Sequence, residues 1–327
     1  MFSMWYRNGG WRDPEIIPYG PIEVEPAVAS LHYGQTVFEG LKAFRGTDGT
    51  IRVFRANMNA ERLEQSCERL CIPPIDRELF VEAIRELIRL DHMWIPHKRG
   101  ESLYVRPLVF GTEPHLEVRP SREFRFLIMT SPVREYFDTQ GVSTVSLKVE
   151  EHYTRSAPGG MGFAKTAGNY AATLQPGEES RRQGFDQVLW LDGQQHRYVE
   201  EVGQMNIFFQ LGDRLITPAL RGTILPGVTR DSVLTLARAN GITVDERLIT
   251  VDEILTAIDA GSLREAFGAG TASVIAPVGR ISYRGLSRDI NEGRPGPLSM
   301  RLYRQIGEIQ HGDVPDIYGW TTPIDVV

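Results

Sequence analysis

Residues Phe124–Ser146 read "FRFLIMTSPVREYFDTQGVSTVS", and a change of texture inside them decides how the chain is organised. The first ten residues are mostly apolar and suit a strand. After Val133 the text turns polar and rich in turn formers, until alternation resumes at Val145. A chain of 327 residues is also long for a single hydrophobic core. Together these features predict a small N-terminal α+β domain over 1–133, a connecting loop over 134–142 and a larger C-terminal domain over 143–327.

Working back from this junction, "SLYVRPLVFGT" (102–112) is another strand, and Pro107 places it at an edge or a bulge. "IRVFRA" (51–56) is a short strand. "NMNAERLEQSCERL" (57–70) follows as a helix, with Asn57 or Asn59 able to cap it and Leu63, Cys67 and Leu70 on one face. "DRELFVEAIRELIRL" (76–90) is a second amphipathic helix carrying Phe80, Ile84, Leu87 and Ile88. Working forward, "VSLKVEE", "DQVLWLD", "RYVEEV" and "MNIFFQLG" are strands interleaved with short helices. "TRDSVLTLARANG" stops at Gly241, "TVDEILTAIDAG" opens with a capping box of Thr250 and Glu253, and "LSMRLYRQIGEIQ" sets Leu298, Leu302, Ile306 and Ile309 on one face.

The composition is that of a soluble globular protein, with 41% apolar and 24% charged residues. A net charge of −6 gives no reason to expect nucleic acid or an anionic membrane as partner. No apolar run approaches the roughly 20 residues of a membrane span, and the N-terminus does not read as a signal peptide. A cytoplasmic location is expected. The two cysteines, Cys67 and Cys71, are spaced i,i+4, which suits helix packing better than a disulfide or a metal site.

Several features could build a site for a phosphorylated ligand beside a reactive amine. Lys165 stands in "GGMGFAKTAGNYAATL" (159–174) among small residues that would let a flat ligand approach. An amine held out of water loses its proton more readily and becomes a nucleophile or proton shuttle, although a loop lysine can equally be a solvated charge. In "ILPGVTRDS" a Pro-Gly turn runs into a helix beginning at Val228 and Thr229, an anion site unless Thr229 merely caps the helix. In "FGAGTASV" two glycines before Thr271 suit a turn with N–H groups directed at an anion, although an ordinary turn fits the same residues. Arg62 lies in the first turn of its helix in this reading, where a guanidinium is disfavoured unless an anion is near. Glu200 and Glu201 alternate in direction along a strand, so one can point inward and would need a cationic partner there.

Taken in order, "FEGLKAFR", "NMNAERL", "LYVRP", "AGNY", "EEVGQMNIFF", "LPGVTRDS" and "FGAGTASV" resemble the branched-chain amino acid aminotransferases, which are pyridoxal 5′-phosphate enzymes of fold-type IV. The resemblance runs from about Trp11 to Trp320. It implies a mixed α+β and α/β fold whose larger domain has a β-barrel-like core with surrounding helices. It also implies transamination of leucine, isoleucine and valine with 2-oxoglutarate, yielding branched-chain 2-oxo acids and L-glutamate. By position, Lys165 matches the lysine joined to the cofactor as a Schiff base, Tyr170 the tyrosine at its phenolic oxygen, and Glu201 the glutamate at its pyridine nitrogen. Arg62, Val228, Thr229 and Thr271 match the phosphate cradle. Tyr33, Phe38 and Tyr104 match the walls of the side-chain pocket, and Arg106 with the backbone at Thr271 and Ala272 matches groups near the substrate carboxylate. Leu116 and Val118 match residues that enter a neighbouring subunit's pocket, which implies a homodimer.

No metal is implied. Sister activities on the same fold are D-amino acid aminotransferase and aminodeoxychorismate lyase, and a non-catalytic phosphate-ligand binding protein is the reading from another class. Departures from the family pattern include Gln204 where threonine is common and Glu117 where glycine is usual. Ser273 and Ala276 stand in place of a CxxC pair, so thiol-based control is not expected.

Overall fold

A computed structural model of the chain describes residues 1–134 and 143–326. Of the connection expected at 134–142, all but Arg134 lies outside the described residues. The chain groups into two compact units: Met1–Glu135 with Ala164–Gly168 and Gly307–Val327, and Tyr136–Phe163 with Asn169–Ile306. The first unit thus takes back five residues around Lys165 and the C-terminal segment.

The first unit contains β1 (Phe2–Arg7), β2 (Gly10–Ile16), α1 (Ala29–Tyr33), β3 (Thr36–Phe38), β4 (Leu41–Arg45), β5 (Ile51–Phe54), α2 (Ala56–Arg69), α3 (Arg77–Asp91), β6 (Ser102–Gly111) and β7 (Phe124–Val133). Its antiparallel sheet runs from the C-terminal strand Thr321–Ile324 through β5, β4, β6, β7 and β1 to β2, with β3 also paired to β6. The strand bearing Pro107 is therefore interior, neither at an edge nor bulged. Its partner breaks instead. β3 pairs Phe38 with Leu108 and β4 pairs Leu41 with Val105, a common register that sets Glu39 opposite Pro107 and Gly40 opposite Arg106. Glu39 N–H donates to Pro107 O at 2.9 Å, but proline has no N–H to return, and the sheet lacks one bond there.

Alternation then sorts the side chains. Val37, Leu41 and Ala43 join Leu103, Val105 and Val109 in the core, together with Leu63 and Cys67 of α2 and Phe80, Ile84, Leu87 and Ile88 of α3. Full burial of each large one stabilises by about 1.5–3 kcal/mol. Glu39 shares the parity of this core face, whereas Phe38, Gly40, Tyr104 and Arg106 take the other. α3 is capped as its sequence suggests, Asp76 accepting from Leu79 N at 2.9 Å. α2 is not: it starts at Ala56 behind a left-handed Arg55 without a side-chain cap, and both Asn57 and Asn59 lie inside it. Arg62 consequently sits in the second turn, away from the helix end. Cys67 packs as expected, but Cys71 falls past the helix end and is exposed.

The second unit continues with β8 (Val145–Val149), α4 (Ala167–Ala171), α5 (Leu174–Arg182), β9 (Gln187–Leu191), β10 (Val199–Val202), β11 (Met205–Leu211), β12 (Arg214–Pro218), α6 (Val228–Ala239), β13 (Thr243–Arg247), α7 (Val251–Asp259), β14 (Leu263–Gly270), β15 (Val274–Tyr283), β16 (Leu286–Asp289) and α8 (Pro297–His311), of which α4 and α8 straddle the unit bounds. Strands β10, β9, β8, β15, β14 and β11 follow one another, and β11 pairs back to β10. This closes the barrel core that the family resemblance implies. Leu147, Leu189, Val202, Ile207, Phe209 and Val278 belong to its apolar cluster. Thr250 caps α7 by accepting from Glu253 N at 3.0 Å. Leu298, Leu302, Ile306 and Ile309 of α8 are all buried. No helix among the described residues is long and apolar enough to cross a membrane.

Candidate active site

In the first unit the backbone of Lys165 is fixed on both sides. Its N–H donates to Ser66 Oγ at 2.9 Å, and its carbonyl accepts from Phe38 N at 3.0 Å. Thr166 extends this attachment, bridging Val37 and donating from Oγ1 to Thr36 O at 2.9 Å. Ser66 in turn donates to the Arg62 carbonyl at 2.8 Å. The lysine segment is thus laid beside β3 and tied to α2. The Nζ lies 4.9 Å from the Phe38 ring centroid. Burial pushes the amine down, to about 8, and the Arg62 and Arg106 charges push the same way, while Glu39 and Tyr104 oppose them.

Beside it lies a carboxylate with no solvent exposure. Glu39 Oε1 accepts from Arg62 Nε, and Oε2 accepts from Arg62 Nη2 and Asn59 Nδ2, all at 2.7 Å. Gly40 N–H adds a bond at 3.1 Å. On the opposite face of the strand, Arg106 Nη2 donates to Tyr104 Oη at 3.2 Å, and its guanidinium carbon lies 5.0 Å from the Phe38 ring centroid. The tyrosine needs Gly40: a Cβ there would stand 2.0 Å from its hydroxyl. Tyr33, at the end of α1, donates to the Leu116 carbonyl at 2.5 Å, and the side chains of Leu116 and Val118 are exposed.

In the second unit both members of the glutamate pair are buried, so neither is a solvated strand end. Glu201 Oε2 lies 2.6 Å from Arg155 Nη1, and Glu201 stands opposite Asn206 on the β10–β11 hairpin, whose Nδ2 is 3.4 Å from its Oε1. Glu200 Oε1 accepts from Thr223 Oγ1 at 2.5 Å, and burial raises its pKa. The loop leading into α6 is held by Arg155, which donates to Thr223 O at 3.2 Å, and by Asn206, which donates to Leu225 O at 2.9 Å. Gly227 is the N-cap and offers no side-chain bond, so Thr229 lies inside the first turn and is not the cap. A Cβ on Gly227 would stand 2.1 Å from Asn206 Oδ1. Thr271 and Ala272 lie in the turn between β14 and β15. Gly268 and Gly270 belong to strand β14, where the space beside each is filled by Met205. Tyr170 lies in α4, in the second unit, whereas Lys165 belongs to the first.

The first unit therefore gathers Phe38, Arg62, Tyr104, Arg106 and Lys165, and separately Tyr33 with Leu116. The second holds Glu201, Val228, Thr229, Thr271 and Ala272. Sequence reasoning missed Glu39, Asn59, Arg155 and Asn206. Period-two alternation from Val37 to Ala43 could have turned Glu39 inward, and the same rule sets Asn206 in step with buried Phe208. Arg155 lies in no regular element and carries no such signal. Among the described residues no group of three or more His, Cys, Asp or Glu could hold a metal ion.

A profile of the amino-transferase class IV family matches residues 36–281. The branched-chain-amino-acid transaminase 1 of Bacillus subtilis (strain 168) is 47% identical over 325 residues, covering 99% of this chain and 91% of its own length. The crystal structure of Escherichia coli branched-chain amino acid aminotransferase matches with a TM-score of 0.82 at 27% identity, over 99% of both chains. The T.th. branched-chain amino acid aminotransferase with pyridoxamine 5′-phosphate matches at 0.81 and 26%, again over 99% of both. This chain belongs to the class IV aminotransferase family, among the branched-chain-amino-acid aminotransferases.

Proposed function

We propose that the protein transfers the amino group of L-leucine, L-isoleucine and L-valine to 2-oxoglutarate, giving the branched-chain 2-oxo acids and L-glutamate, with pyridoxal 5′-phosphate as cofactor. The observation that carries this reading is Lys165, an amine brought down to about 8 on a backbone bonded on both sides. In each unit the residues present suit parts of that cofactor. The N-terminus of α6 has no side-chain cap and would receive its phosphate, with the hydroxyls of Thr229 and Thr271 and the guanidinium of Arg62 as further donors. Glu201, paired with Arg155, would hold the pyridine nitrogen, and Tyr170 the phenolic oxygen.

When bound, the cofactor supplies an electron sink for the substrate's Cα. The chain's residues do the rest. Lys165 is the residue that would hold the cofactor, and its amine, when free, would carry the proton that leaves Cα, a task suited to a pKa near the working pH. Phe38, Tyr104 and Tyr33 would present apolar walls. One methylene changes discrimination by only about 1–3 kcal/mol, so all three branched chains should be accepted. Arg106, with the backbone of Thr271 and Ala272, would orient carboxylates. Leu116 and Val118, 67% and 84% exposed, support a homodimer in which they enter the partner subunit's pocket.

The test is formation of L-glutamate from each branched-chain amino acid and 2-oxoglutarate, with D-alanine and aminodeoxychorismate as competing substrates. Lys165→Ala is expected to lower turnover by about 10³-fold. Preference for D-alanine or aminodeoxychorismate, or undiminished turnover by K165A, would overturn the reading.

A further inference from the structure

We infer that Glu39 is a positioning residue of this site: it fixes the plane of the Arg62 guanidinium and supplies the negative charge that faces both Arg62 and the Lys165 amine. The inference rests on the function proposed above and assigns a role to a group that the chemistry does not itself use.

The placement of Glu39 is the first argument. Its strand parity is that of Val37 and Leu41, so its carboxylate belongs to the core face, opposite to Phe38, Tyr104 and Arg106. A carboxylate there carries a heavy desolvation cost, and a well-packed apolar residue would often serve stability as well or better. What the carboxylate adds is orientation. Nε and Nη2 of Arg62 meet its two oxygens in parallel bonds, the geometry that locks a planar fork. Asn59, one helical turn before Arg62, holds Oε2 from the other side and keeps the carboxylate itself from turning. An arginine fixed in this way binds a phosphate without the loss of side-chain freedom that a mobile one incurs.

Charge is the second argument. The groups that face the Lys165 amine in this unit are Arg62, Glu39, Tyr104 and Arg106. Those that face Glu39 are Arg62, Lys165 and Asn59, and the nearby Cys67 thiol, pushed up to about 12 by burial first and then by Glu64 and Glu39, stays neutral. Glu39 therefore offsets Arg62 in the balance that sets the amine. With the carboxylate neutralised, the two arginines would drive the amine lower still.

The experiment compares wild type with Glu39→Gln, which keeps shape and removes charge. Apoprotein is titrated with pyridoxal 5′-phosphate and with pyridoxal, which lacks the phosphate, and the rate of each reaction is followed against pH. If Glu39 acts as inferred, E39Q loses about tenfold in affinity for pyridoxal 5′-phosphate and much less for pyridoxal, and its pH midpoint falls by about one unit. An unchanged affinity ratio or an unchanged midpoint overturns the inference, because a merely structural role would move neither selectively. Should E39Q fail to fold, Glu39→Asp keeps the charge on a shorter arm. It should then retain the midpoint and lose the ratio, and retention of the ratio overturns the inference. Failure of the wild type to make L-glutamate from L-leucine would instead strike the proposed function, whatever the Glu39 variants do.

Discussion

Each unit buries an arginine–carboxylate pair, and the two pairs are joined differently. Glu39 meets Arg62 side-on through Nε and Nη2, with Asn59 at 2.7 Å and Gly40 N at 3.1 Å completing its shell. Glu201 meets Arg155 through Nη1 at 2.6 Å, with the amide of Asn206 at 3.4 Å, where a hydrogen bond is weak. Two parallel bonds fix the plane of both groups. An end-on contact through one nitrogen places charge beside charge without by itself fixing the plane. The role proposed for Glu39 uses the first arrangement, and the role proposed for Glu201 uses the second.

The comparison breaks if the pairs respond alike to truncation. Glu39→Ala, which deprives buried Arg62 of this partner, is expected to cost about 3–5 kcal/mol in urea unfolding of the apoprotein. Arg155→Ala, which removes a charged contact of lesser geometry, is expected to cost about 1.5–3 kcal/mol. Equal losses would mean that side-on and end-on pairing carry no different weight here.

Two glycines sharpen the contrast by function. Gly40→Ala would bring a methyl group to 2.0 Å from the Tyr104 hydroxyl, and Gly227→Ala to 2.1 Å from Asn206 Oδ1. Each should cost about 1–3 kcal/mol of stability by overpacking. The catalytic readouts should separate: a raised KM for leucine in G40A, where the Tyr104–Arg106 pair is displaced, and weaker cofactor binding in G227A, where the start of α6 shifts. Steady-state kinetics and a cofactor titration on both variants decide it.

The smallest effect concerns pH. For Glu39, burial raises the carboxyl's pKa, but Arg62, Lys165 and Asn59 outweigh it and hold it below the ordinary 4.5. Its stabilisation is present above pH 4.5 and lost as pH falls through the lowered value. Glu200 is the opposite case. Burial raises its pKa above 4.5 despite the Thr223 bond, so its contribution is full below pH 4.5 and lost as pH rises through the raised value. Glu200→Gln should therefore exceed wild type in stability near pH 7 by about 1 kcal/mol, and the advantage should vanish below pH ~4.5. Urea unfolding at a series of pH values checks the sign.

Much of the fold was legible because its signals are local. The periodicity of α3 and the Thr250 cap of α7 depend only on neighbouring residues and appear as expected, but the Glu253 carboxylate pairs with Arg247 and does not complete the capping box. Errors arose where a distant partner decided the outcome. Asn57 and Asn59 were candidates for a helix cap, but α2 begins at Ala56 and Asn59 serves Glu39, 20 residues away in sequence. The dipole argument for an anion at Arg62 needs a helix end, whereas Arg62 sits in the second turn. Alternation along the strand could turn Glu39 inward, but its pairing with Arg62, 23 residues away, is set by the folded chain. Motif resemblance pointed to Lys165 and Glu201 because their surroundings recur as short strings. Arg155 and Asn206 act through folded geometry, and a Cβ clash such as that between Gly227 and Asn206 has no linear signature.

The missing N–H at Pro107 leaves a sheet that is continuous in register yet has a half-made rung opposite Glu39. Below that rung the strand is clamped by β3 and above it by β4, so the backbone at 39–40 is held in place by its flanks and only partly by its own ladder. A sheet edge would give more freedom, at the risk of pairing with other chains. Here side chains cover the gap: Gly40 N–H bonds the Glu39 carboxylate at 3.1 Å, and Gly40 O accepts from Asn59 Nδ2 at 3.3 Å. An imino acid on one strand thus sets where its neighbour is held by side chains, and it contributes through a bond that is never formed.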